Sequence, residues 1–205
     1  MDSPISSSRR NSGGFTLMEL VVVMTIISIV AVLSLTAFGR ATESSSLAGV
    51  RSTLTAMLEL ARTHALSSGR TVEIRFYKLP AEKPGYCALQ ILDYQTSRPL
   101  TPLTRMTGNI TLLADEAFSS LLSDANPNGG TAPLTNPAIT ASYKCFRVRP
   151  NGSTDLPREG TPVNRDRWCI TAAPASAVAT PQRPAPNFVT FIIDPLNART
   201  TTFQP

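Results

Sequence analysis

Between Leu20 and Phe38 the chain carries no charged residue. As a helix those 19 residues would rise roughly 28 Å at about 1.5 Å each, close to the hydrocarbon thickness of a bilayer. Arg9 and Arg10 precede the run, so the positive-inside bias keeps the amino terminus in the cytoplasm and sends everything after Phe38 across the inner membrane into the periplasm. A secretory signal has a shorter apolar core followed by a small-x-small cleavage site. Here the run is longer, and "SLTAFGR" is a poor site. One acidic residue, Glu19, stands at the start of the run. An unpaired carboxylate in hydrocarbon is costly, so Glu19 is expected to be neutralised or to meet a partner.

After Arg40 the apolar residues Leu47, Val50, Leu54, Met57, Leu58, Ala61 and Ala65 recur at three and four, which predicts that one helix continues to about Ser68 and lays a stripe on a sheet. Gly69 is a suitable stop. Beyond it the period changes to two. Residues 71–78, 86–94, 109–113, 143–149, 167–173 and 187–194 read as strands, with "ARTTTF" as a last edge strand and 115–122 as a short helix. Two stretches rich in Pro and small residues, 123–137 and 173–186, read as long surface loops. No second long helical pattern is present to make crossovers, so the sheet is expected to be mainly antiparallel and the class α+β. At 205 residues, 42% hydrophobic and 16% charged, the chain suffices for one soluble domain on one anchor.

The residues "GGFTLMEL" resemble the type IV prepilin signal, which a membrane peptidase cuts after glycine before the new amino-terminal phenylalanine is methylated. The resemblance implies cleavage between Gly14 and Phe15, methylation of Phe15, and an assembly role for Glu19, whose carboxylate would meet the Phe15 amine of a neighbouring subunit. It divides the chain into a leader (1–14), a transmembrane helix (15–39) and an extracytoplasmic domain (40–205). A long helix followed by an antiparallel sheet domain is similar to minor pseudopilins of type II secretion and minor pilins of type IV pili. The stretches "VEIRFYKLP", "YCALQILD", "FRVRPNGSTDLP" and "NFVTFIIDPLNARTTTFQP" further resemble a family known as Verru_Chthon cassette protein D. The implied function is that of a structural subunit, a minor component of a filament. Its partners would be prepilin peptidase, other pilin-like subunits and the inner membrane. The alternatives are a tip protein that binds DNA or a substrate, and an anchored protein that never assembles.

Nothing in the sequence calls for catalysis or a cofactor. His64, the sole histidine, lies near the apolar stripe with no nucleophile context, and GxSxG, P-loop, GxGxxG and HExxH patterns are absent. Asp124, Asn126 and Asn128 match the first half of a calcium loop, but its twelfth position is Thr135 instead of glutamate. The net charge of +5 is mild. Arg147 and Arg149 alternate onto one strand face, and Arg199 follows in "DPLNARTTT". These are the candidate DNA contacts, although the Gly-Arg-rich ending of DNA-binding minor pilins is not reproduced, which argues against nucleic acid. Cys145 and Cys169 are a candidate disulfide if their strands are neighbours, and Cys87 reads as a small buried hydrophobe.

Overall fold

The computed structural model describes residues 16–80, 85–135, 138–157, 168–176 and 185–204, with the side chains of 33–41 outside that set. Among the described residues, helix α1 (Leu17–Ser68) is followed by nine strands: β1 (Val72–Lys78), β2 (Ala88–Asp93), β3 (Thr104–Arg105), β4 (Ile110–Leu112), β5 (Gly129–Leu134), β6 (Ile139–Val148), β7 (Trp168–Pro174), β8 (Val189–Ile193) and β9 (Thr200–Phe203). The chain forms two compact units, Met1–Ala41 and Thr42–Pro205.

In the second unit the strands form two sheets, ordered β3-β2-β1-β6-β5 and β4-β7-β8-β9. Every strand pairing is antiparallel, as expected of strands joined without crossover helices. The stripe read from the sequence is the helix's contribution to the core. Leu47, Val50, Leu54, Leu58, Ala61 and Ala65 are buried, with Met57 partly so. They share one cluster with Ile74, Phe76, Leu89 and Phe146 of the first sheet and with Trp168, Ile170, Phe191 and Ile193 of the second. The fold is therefore α+β, a helix packed on antiparallel sheets. The helix ends where Gly69 takes φ of 65°, a left-handed backbone that glycine adopts without steric cost. Ser67 and Ser68 donate to the His64 carbonyl, at 3.3 and 2.6 Å, and so satisfy an acceptor of the last turn.

Two local expectations change. Residues 115–122 form turns instead of a helix. Ser119 and Ser120 turn their hydroxyls to the backbone, each accepting a 2.9 Å hydrogen bond, from the N–H of Thr171 and of Cys169 respectively. The segment thus completes the edge of β7 beyond the end of β4, and serine side chains do what a helix would prevent. The expected loop 123–137 contains β5, whose Pro133 and paired glycines hide a strand. As the edge of its sheet, β5 can carry a proline, because one side of an edge strand needs no ladder donor. Of the other expected loop, residues 177–184 lie outside the described set.

The sheets are stitched at Tyr86 and Leu112, which exchange both backbone hydrogen bonds at 3.0 and 2.8 Å. Gly85, with φ of 96°, leads into that bridge, and a Cβ there would stand 2.5 Å from the Leu112 carbonyl oxygen. Gly85→Ala is expected to lower stability by more than about 1 kcal/mol in urea unfolding, since both the backbone angle and the contact exclude a side chain.

Candidate functional site

The amino-terminal part of α1 is built as a surface that something else must cover. Every large apolar side chain from Leu17 to Val32 is between 45% and 82% exposed, so no face of this segment is turned inward. A helix apolar on all sides needs lipid or other helices around it. Its polar side chains are satisfied within the helix. Thr25 and Ser28 donate to the carbonyls of Val21 and Met24, both at 2.8 Å, the hydroxyl arrangement suited to an environment without water. Glu19 is the one ionisable group among the described side chains of this segment, and it is exposed.

Thr16 starts the helix. Its hydroxyl oxygen accepts the Glu19 N–H at 3.2 Å, while its carbonyl accepts the Leu20 N–H at 3.2 Å. This is an N-cap, and it places the Glu19 carboxylate in the first turn, where the helix dipole favours negative charge. The signal is present in the sequence as Thr-x-x-Glu ahead of an apolar run, the capping-box pattern. Gly14 and Phe15 lie outside the described residues, as does the whole leader. Among the described residues no helix is long and apolar enough to cross a membrane. The expected span, Leu20 to Phe38, runs into the side chains from 33 onward that are outside that set.

The remaining candidates have structural partners. Asn126 is fully buried. Its amide nitrogen donates to the carbonyls of Leu121 and Cys145, both at 2.9 Å, and its amide oxygen accepts the Asn128 N–H at 3.0 Å. The Lys144 ammonium lies 2.9 Å from the Asn126 carbonyl and 3.5 Å from Asp124, and Asn128 donates to Asp155. The Asp124, Asn126, Asn128 loop is thus organised by a lysine and by its own amides. Asn126→Ala is expected to cost about 3 kcal/mol by stranding two buried carbonyls and an N–H. Thermal unfolding should show the same loss with and without calcium.

Cys145 and Cys169 do not pair. They sit on β6 and β7, in different sheets, and all three cysteines are free. The condition for the expected disulfide, neighbouring strands, is not met. Burial pushes the Cys145 thiol up to about 12, while Cys169 Sγ lies 3.4 Å from the Phe118 carbonyl. His64, half-buried, has Nδ1 3.4 Å from the Ser68 hydroxyl.

Arg147 is held on the outer face of the first sheet, the face away from α1. Its Nε donates to Glu73 at 2.8 Å, Nη1 lies 3.4 Å from Asp155, and the guanidinium stacks 4.1 Å from the Tyr94 ring centre. Glu73, only 3% exposed, is shared with Arg75, whose Nε is 2.5 Å away and whose guanidinium covers the Tyr143 ring. Arg149 donates to the Thr154 carbonyl at 2.9 Å. Arg199 is exposed at the connection into β9. The structure thus commits Arg147 and Arg149 to neighbours and leaves Arg199 on a different element.

Comparison with known proteins finds a match to the family model described as the prokaryotic N-terminal methylation motif, over residues 9–35. The chain is also similar to the type IV minor pilin FimU of Pseudomonas aeruginosa, at 16% identity and a TM-score of 0.47, over 80% of this chain and 96% of that one. No curated protein matches it. The chain thus carries a prepilin-type amino terminus ahead of an α+β domain.

Proposed function

We propose that this protein is a structural subunit of a pilin-like filament, of the type II secretion or type IV pilus kind, and a minor component of it. Prepilin peptidase cuts after Gly14, Phe15 is methylated, Leu20 to Phe38 holds the chain in the inner membrane, and the domain from residue 40 onward stands outside it. The observation that carries this reading is the segment from Thr16 to Val32: capped, apolar on every exposed side, internally hydrogen-bonded, and with one carboxylate in its first turn. Such a segment gains stability by packing among like helices. Glu19 then supplies the register, because its charge is tolerated in hydrocarbon only where the amine of a neighbouring subunit meets it.

The mass of the amino terminus, from protein recovered out of membranes that contain the peptidase, tests the processing. A chain beginning at methylated Phe15 is expected, and an intact leader would overturn it. Glu19→Ala tests assembly. It is expected to be cleaved normally yet to lower recovery in cross-linked oligomers by about tenfold or more, the equivalent of losing about 1.4 kcal/mol per subunit contact. Unchanged cross-linking would show that Glu19 does not hold the subunits together, and an absence of cross-linked oligomers in the unaltered chain would describe an anchored protein that does not assemble.

A further inference from the structure

A cleft of about 420 Å³ lies across the outer face of the first sheet, within the range of small-ligand sites. Arg75 and Tyr77 of β1 and Gln90 and Leu92 of β2 line it. On one side it is bounded by the connection from β2 to β3, through Ser97, Pro99 and Leu103, and on the other by Ala132 to Thr135 at β5. Among the described residues Arg75 is the one charged residue in this lining, and no described carboxylate joins it there.

That guanidinium is fixed before any ligand arrives. Its Nε is tied to Glu73 at 2.5 Å and its plane lies 4.5 Å from the Tyr143 ring centre. Only 17% of the side chain is exposed, on the side that lines the cleft. Besides the Nε bond to Glu73 the side chain hydrogen-bonds to Tyr77, so it is the remaining terminal N–H groups, the donors that suit a carboxylate, that are left for the cleft. Glu73 is shared with Arg147, which Asp155 also meets at 3.4 Å. The rest of the lining is mixed, with apolar surface from Leu92, Pro99, Leu103, Pro133 and Leu134 beside the polar groups of Tyr77, Gln90, Ser97 and Thr135. One wall is held in a costly shape: Ser97 takes φ of 55°, a left-handed backbone uncommon outside glycine. The loop around it is pinned by Asp93, whose Oδ1 accepts the N–H groups of Gln95 and Thr96 at 2.9 and 3.0 Å.

We propose that this cleft is a binding site for a monocarboxylate with an apolar body, its carboxylate on the terminal nitrogens of Arg75 and its body against Leu103 and Leu134. The inference is independent of the filament reading, since it concerns a different face and a different part of the chain. A free branched-chain acid and the carboxyl end of an extended polypeptide share this chemistry.

The test is titration calorimetry on the full chain in detergent with three probes: 4-methylpentanoate, N-acetyl-Ala-Ala-Ala-Leu, and the same peptide as its carboxamide. The carboxylate peptide is expected to bind about tenfold or more tightly than the amide, the loss of one charge-assisted contact. Tighter binding of the peptide than of the free acid assigns the site to a polypeptide end, and equal affinity assigns it to the free acid. Leu103→Trp fills the cleft without touching Arg75 or Glu73 and is expected to abolish binding while the unfolding midpoint is kept. Arg75→Gln is expected to equalise acid and amide. Equal affinity for acid and amide in the unaltered chain, binding retained in Leu103→Trp, or no heat with any probe at millimolar concentration would each overturn the proposal.

Discussion

Replacing Glu73 by alanine is expected to cost about 3–5 kcal/mol of folding stability, the scale of breaking a buried ion pair by removing one partner. The carboxylate is 3% exposed and lies between Arg75 Nε at 2.5 Å and Arg147 Nε at 2.8 Å. Its removal leaves two positive groups, 17% and 30% exposed, on a covered face, with Asp155 still 3.4 Å from Arg147. Their repulsion and incomplete hydration make up the loss. Glu73→Gln keeps the shape and an acceptor oxygen, and should lose roughly half as much, because only the charge is removed. Urea unfolding followed by the fluorescence of Trp168, the single tryptophan, measures both. A loss below about 1 kcal/mol for alanine would mean that the three groups behave as a solvated surface cluster. Replacing all three with leucine or methionine is the complementary experiment. It should recover most of the stability lost by Glu73→Ala, since buried ionic groups are costly to strand rather than necessary to keep.

Trp168→Ala is expected to be of similar size, about 3–5 kcal/mol, through a different cause. The indole is 1% exposed in the core shared by α1 and both sheets, and its N–H donates to the Pro157 carbonyl at 2.9 Å. Truncation opens a large cavity beside Ile170, Phe191 and Ile193 and strands that carbonyl. Trp168→Phe separates the two contributions. It keeps most of the ring volume and should lose about 1 kcal/mol for the missing hydrogen bond plus a modest packing cost. Because the alanine variant removes the fluorophore, its unfolding is followed by far-ultraviolet circular dichroism. A loss under about 2 kcal/mol would show that the core collapses around the gap.

The order and type of most elements were legible because they repeat locally. Leu47, Val50, Leu54, Leu58, Ala61 and Ala65 advertise a helix face by spacing alone, and alternation located β1, β2, β4, β7 and β8. Gly69 marked the helix end, and "TTTF" the edge strand β9. What failed were segments whose composition hides a strand or whose partners are distant. β5 looked like a loop because glycines and Pro133 are poor strand formers anywhere except beside the β6 ladder at a sheet edge. Residues 115–122 looked helical until Ser119 and Ser120 found the backbone of Thr171 and Cys169 some fifty residues away. The cysteine pairing assumed that two strands were neighbours, and they belong to different sheets.

The sequence by itself determined the character of the amino terminus: a charge-free run from Leu20 to Phe38, a match to the prokaryotic N-terminal methylation motif over residues 9–35, and a single carboxylate at Glu19. These are properties of contiguous residues, and the physics that reads them, hydration of charge and helical rise, acts along the chain. Only the tertiary structure decided that Glu73, Arg75 and Arg147 share one covered face, that Asn126 braces a turn with its buried amide, and that a cleft with one fixed guanidinium exists. In "VEIRF" the alternation of charges reads as a solvated strand face. It becomes a buried network because Leu92 and Arg147 are the registered neighbours of Glu73 on either side. That register follows from the pairing of residues far apart in the chain, which local spacing does not encode.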